Sequence, residues 1–164
     1  MKYIVEDSSF IISLLDTTDV HHQSALEVFR IIISHSPKVR AIIPSTVFYE
    51  TLFVLLKNGV SYQQAKTKLN NLMMIDEIIN LAITETNILK LAKHTQQLIL
   101  NKTNKTRVRS NDLLIASIAC NQEHSCLITS DMGMKDYDPV CKNIFLFNTT
   151  TELNSLNSFL SNPE

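Results

Sequence analysis

Four acidic residues stand where apolar segments end or begin. Asp7 follows the run YIV and its neighbour Glu6 in MKYIVEDSSF. Glu50 ends PSTVFYE, Asp112 stands in RSNDLLIASIA, and Asp131 ends LITSD. Carboxylates brought together repel one another and raise one another's pKa values, a conflict that a bound cation removes. Hard divalent ions such as Mg²⁺ or Mn²⁺ take oxygen ligands, whereas His and Cys would point to Zn²⁺. No His adjoins any of the four acids. Ions held by carboxylates and water activate a water molecule and neutralise charge on a phosphodiester. The chemistry these residues suit is metal-dependent hydrolysis of nucleic acid.

Positioning them is the task of alternating strands and helices. Tyr3–Val5 is an apolar run with a β-branched pair and reads as a buried strand, followed by a short helix over Ser8–Leu15. Ala25, Leu26, Val28, Phe29, Ile32 and Ile33 recur at helical spacing within His22–Ser34. Val39–Ile43 is a second strand, ended by Pro44. Ser45 is placed to cap a helix over Thr46–Lys57, which Asn58-Gly59 stops. Ser61 and Gln64 make a capping box for a helix running to about Met74, and Ile75–Ile79 reads as a third strand. Thr84 or Thr86 caps a helix through Leu100. The polar, basic stretch 101–111 is a loop, and an apolar helix follows from Asp112 to about Cys120. Strands over Cys126–Thr129 and Ile144–Phe147 complete the pattern. Such alternation implies an α/β fold with a parallel sheet covered on both faces. Ligands of such sheets bind outside the carboxyl ends of the strands, and both Asp7 and Asp131 directly follow strands.

The chain has 164 residues, enough for one domain with a real core. Residues 1–150 are expected to form that domain, and 151–164 a polar tail with one short helix. A net charge of −1 excludes a protein that coats nucleic acid by electrostatics alone, leaving room for a local basic patch. Cys120, Cys126 and Cys141 have no C-x-x-C spacing and an odd count, a poor disulfide framework that suits a reducing cytosol. They are expected to pack as small buried hydrophobes. No run approaches the roughly 18 apolar residues a membrane span needs, and the N-terminus lacks a leader pattern. The expected location is the cytoplasm, with no membrane partner.

The runs VEDSSF, PSTVFYE, RSNDLLIASIA and LITSD resemble, in order and spacing, the four acidic motifs of the PIN-domain family, and within it the VapC-type toxin ribonucleases. The resemblance covers roughly residues 3–147. It implies a three-layer α/β/α sandwich with a central, mainly parallel sheet. It also implies a Mg²⁺- or Mn²⁺-dependent endoribonuclease, usually a homodimer, working as the toxin of a type II toxin–antitoxin pair. Carried over, Asp7 would be the main metal ligand, with Glu50, Asp112 and Asp131 completing the site directly or through water. Ser8 matches the hydroxyl position after the first acid, and Thr129 the small hydroxyl two residues before the last. One departure stands out: Met132-Gly133-Met134-Lys135 intervenes between Asp131 and the aromatic Tyr137. A short upstream reading frame for a DNA-binding antitoxin would support the toxin reading.

Each acid also has a plainer explanation. Glu6 should point away from Asp7 across an extended backbone, as a solvated or supporting group. Asp112 alone is a charge favoured by a helix N-terminus, and Asp131 alone a turn residue. Glu50 sits among Val47, Phe48, Leu52, Phe53 and Val54 and needs a partner there. Lys102, Lys105, Arg107 and Arg109 are either a solvated loop or a rim that guides RNA phosphates. His21, His22 and His94 are expected at the surface. The rival functions are a PIN-like RNA- or protein-binding module without catalysis, and a Mg²⁺-dependent phosphoryl-transfer protein. The second rival lacks support, since Asp7-Ser8-Ser9 has no Asp-x-Asp and the second strand ends in Pro-Ser.

Overall fold

The computed structural model describes residues 1–84, 109–137, 141 and 143–162, and residues 88, 89, 91, 95, 96 and 99 between them. In chain order these form β1 (Lys2–Glu6), α1 (Ser8–Leu15), α2 (His22–Ser34), β2 (Val39–Pro44), α3 (Ser45–Lys57), α4 (Tyr62–Met73) and β3 (Ile78–Leu81). Then come α5 (Ser110–Asn121), β4 (Ser125–Thr129), a 3₁₀ helix (Met132–Tyr137), β5 (Ile144–Leu146) and α6 (Thr150–Ser161). The helix expected to end at Leu100 and the basic stretch with Lys102, Lys105 and Arg107 lie mostly or wholly outside the described residues.

All four strand pairings are parallel, in the order β3-β2-β1-β4-β5. Because each crossover buries both faces, the central strands need no polar side. Ile4, Val5, Leu127 and Ile128 are all fully buried. The chain builds outward from β1 to β2 and β3, then returns to place β4 on the other side of β1. This reversal of strand order lies between β1 and β4, where open parallel sheets form their ligand crevice.

Local signals account for most boundaries. Ser61 and Gln64 form the expected capping box, with the Gln64 N–H donating to Ser61 Oγ at 3.3 Å and the Ser61 N–H to Gln64 Oε1 at 3.2 Å. Gly59 adopts φ +85°, a conformation that spares glycine the Cβ penalty and helps end α3.

Other expectations are corrected. Ser45 does not cap α3; it is the first helical residue, and its Oγ accepts from the Ile83 N–H at 3.2 Å, tying α3 to the segment after β3. The third strand begins at Ile78 rather than Ile75, because Ile75 closes a turn in which the Ile78 N–H donates to its carbonyl. The short helix expected in the polar tail is present as α6, which has 12 residues and packs on β5 with Leu156 and Leu160 in the core. Each such leucine contributes about 1.5–3 kcal/mol on burial, enough to hold an otherwise Ser- and Asn-rich helix. His21 and His22 are half-buried: His22 Nδ1 pairs with the Ser13 carbonyl at 2.8 Å, and His21 stands edge-on to Phe147.

The cysteine expectation is also overturned, since Cys120 and Cys141 form a disulfide. An odd count leaves Cys126 over, buried and free. The count could not show that the end of α5 and the approach to β5 meet in space.

Candidate functional site

Asp7 lies one residue beyond β1, where its N–H donates to the Ile128 carbonyl of β4 at 3.1 Å. It is also the N-cap of α1, with its Oδ1 accepting from the Ser8 N–H at 2.7 Å. The positive end of α1 thus adjoins the carboxylate. Oδ2 accepts from Thr129 Oγ1 at 2.7 Å and from Ser9 Oγ at 2.9 Å. Four donors with Ser8 Oγ at 3.4 Å hold a side chain that is 8% exposed. The Ser8 hydroxyl is the weak one, so Oδ1 keeps room for a further partner.

Thr129, fully buried at the last position of β4, joins two acids. Its Oγ1 donates to Asp7 and accepts from the Asp131 N–H at 2.9 Å. Asp131 Oδ1 in turn accepts from the Gly133 N–H at 2.7 Å, which turns the chain into the 3₁₀ helix. A Cβ on Gly133 would come within 3.1 Å of that same oxygen. The residues between Asp131 and Tyr137 form this helix, and Tyr137 is fully buried at its end.

Ser9 is the residue sequence reasoning missed. Its Oγ donates to Asp7, accepts from the Ser130 N–H at 3.0 Å and lies 3.4 Å from Thr129 Oγ1. The signal was present in Asp7-Ser8-Ser9: on the first turn of a helix capped by Asp7, the second hydroxyl can turn back to the cap.

Glu50 and Asp112 reach the same edge by topology. Glu50 lies in the second turn of α3, which starts where β2 ends; it is half-buried, and no hydrogen bond or ion pair holds it among the described residues. Asp112 lies in the first turn of α5, whose N-terminus faces the carboxyl end of β4, and Arg109 is the exposed N-cap of that helix. Hydrogen bonds through Thr129 join Asp7 to Asp131. Among the described residues no three His, Cys, Asp or Glu side chains group closely enough to enclose a metal ion. The donors at this edge are all oxygen, the set a hard divalent cation takes.

Glu6 corrects the expectation of a solvated neighbour. It is 1% exposed, both carboxylate oxygens lack a hydrogen-bond partner, and burial lifts its pKa from 4.5 to about 8. Its side chain does point away from Asp7. In a sheet covered on both faces, however, that direction leads into the core.

No curated protein matches the chain. Among solved structures, VapC20 from Mycobacterium tuberculosis, a Sarcin-Ricin loop cleaving toxin, superposes with a TM-score of 0.60 at 14% identity, covering 80% of this chain and 92% of its own. VapBC2 from Rickettsia felis, bound to a DNA fragment from its promoter, gives 0.61 at 16% identity, covering 87% and 96%. These likenesses establish the fold. Residues 4–139, which span β1 through the 3₁₀ helix and all four acids, match the PIN domain, and the chain belongs to that family.

Proposed function

We propose that the protein is an endoribonuclease that hydrolyses RNA phosphodiester bonds with Mg²⁺ or Mn²⁺, and that it is the toxin of a type II toxin–antitoxin pair. The observation that carries the reading is the Asp7 carboxylate, anchored at the strand-order reversal and linked through Thr129 to a second acid. Membership of the PIN family supports a nuclease. The all-oxygen donor set suits a hard cation, for which Asp7, Asp131, Glu50 and Asp112 are the proposed ligands. A bound ion would supply an activated water and charge neutralisation at the phosphate. The chain's own part is to orient Asp7 with Ser9, Thr129 and the Ser8 N–H, and to offer Lys105, Arg107 and Arg109 to RNA phosphates. Purified protein should cleave RNA with Mn²⁺, stop on addition of EDTA and resume with excess Mn²⁺. Cleavage that persists in EDTA would sink the metal role, and no cleavage with either ion would favour a PIN-like binding module.

The proposed partners are a small antitoxin and a second copy of the chain. An antitoxin arginine among the carboxylates would block the site through charge-assisted hydrogen bonds. For the homodimer, α3 supplies a surface: Tyr49, Phe53 and Leu56 share one stripe, and all three are exposed. Phe53→Glu should convert a dimer into a monomer in light-scattering size measurements. A wild-type chain already monomeric at tens of micromolar would refute that interface.

A further inference from the structure

All three cysteines lie near the start of β4, at the sheet edge opposite the acids, but they are not equivalent. Cys126 is buried within β4, and burial pushes its thiol well above the ordinary range, so it stays protonated. Cys120 and Cys141 are bonded to each other, Cys120 half-buried and Cys141 almost fully covered. Beside them opens a cavity of about 180 Å³, lined by Cys120, His124, Ser125, Cys141 and Asn143 among others.

What the bond joins gives it a consequence. Cys120 is in the last turn of α5, and the first turn of the same helix carries Asp112. Eight residues at 1.5 Å each put the two about 12 Å apart along one rigid element. Cys141 follows the 3₁₀ helix that begins directly after Asp131, and its N–H donates to the Tyr137 carbonyl at 2.8 Å. That helix packs against α5. The 21-residue span closed by the bond contains β4, Thr129 and Asp131. One covalent link therefore ties the element bearing Asp112 to the segment bearing Asp131.

We propose that the Cys120–Cys141 disulfide is a redox clamp on the acidic edge, closed in the oxidised protein and opened by a dithiol reductant. The reagent's thiolate attacks Sγ of Cys120, the less buried of the two residues, forming a mixed disulfide and releasing Cys141 as a thiolate that takes up a proton. The reagent's second thiol then displaces Cys120, which is also protonated. The protein gains two electrons and two protons, and the reagent leaves as a cyclic disulfide. Opening the loop restores chain entropy to the unfolded state and frees the Asp131 segment from α5. As a regulator of cleavage the clamp rests on the nuclease reading; as a structural switch it does not.

The test uses the full chain, oxidised or treated with dithiothreitol, beside the Cys120→Ser/Cys141→Ser variant. Alkylation under denaturing conditions should count one thiol in the oxidised protein and three after reduction. Reduction should lower the melting temperature by about 6–12 °C, speed hydrogen exchange across 122–141, and reduce Mn²⁺-dependent RNA cleavage by about tenfold. The double-serine variant should match the reduced protein and ignore dithiothreitol. Three free thiols in air-oxidised protein, or melting and exchange unchanged by reduction, would overturn the clamp. So would an equal response of the serine variant to the reagent. If neither redox form cleaves RNA, the nuclease reading falls, and melting and exchange still decide the clamp.

Discussion

On the proposed nuclease reading, Asp7→Asn should lower RNA cleavage by about 100-fold or more while leaving a folded protein. The asparagine side chain keeps one carbonyl oxygen to accept the Ser8 N–H, and its amide faces hydroxyls that accept as readily as they donate. The local hydrogen bonds can thus be re-formed, and the melting temperature should shift by only a few degrees. What is lost is the negative charge at the strand-order reversal, the feature a cation site requires. Thr129→Val gives a useful contrast. It removes the hydroxyl that donates to Asp7 and accepts from the Asp131 N–H but leaves every carboxylate. Loss of such a support costs about 10–100-fold. The expected order of activity is wild type, then Thr129→Val, then Asp7→Asn, measured with a labelled RNA in Mn²⁺ and paired with thermal melts. An Asp7→Asn protein that cleaves at the wild-type rate would remove Asp7 from the site.

Much of this edge was legible because it depends on short-range rules. An apolar run ended by an acid marks the carboxyl end of a strand, and parallel topology sends both Asp7 and Asp131 to one edge without knowledge of any contact. Helical periodicity and the Ser61–Gln64 box placed α1, α2 and α4 closely for the same reason. The remainder needed three dimensions. Ser9 rather than Ser8 makes the strong hydroxyl contact to Asp7, because the turn into α1 brings it beside the Ser130 N–H from 121 residues away. The Cys120–Cys141 pairing depends on how α5 lies against the approach to β5, which no cysteine count reports. The Ser- and Asn-rich segment around α6 hid two leucines whose burial decides its place. Glu6 misled for a subtler reason. Alternation along a strand fixes which face a side chain takes, and only the layers above decide whether that face is wet.

Glu6 should make the protein less stable as pH rises through neutrality. Its folded-state pKa of about 8 stands above the 4.5 of an exposed glutamate because burial penalises the charged form, and no hydrogen bond relieves it. The native state therefore keeps a proton between pH 4.5 and 8 that the unfolded chain has released. Stability linked to this group is full below about pH 4.5, declines as pH rises, and is lost above about 8. The separation corresponds to roughly 3–5 kcal/mol across the window, or a fall of about 10 °C in melting temperature. On the same face of β1 lie Lys2, held by the Phe159 and Asn162 carbonyls, and Ile4, paired in register with Cys126. Burial alone sets the shift, and among the described residues no ion pair with Lys2 or another cation relieves it. Glu6→Gln removes the titration and should flatten the profile, melting near the wild type at pH 5 and about 10 °C above it at pH 8.5. Melting of both proteins at half-unit steps from pH 4.5 to 8.5 would isolate this group, because every other residue is common to both. Equal slopes in the two profiles would mean that Glu6 is charged in the folded protein at neutral pH. The core around β1 would then have to contain a counter-charge or water that its apolar neighbours Ile4 and Ile128 do not supply.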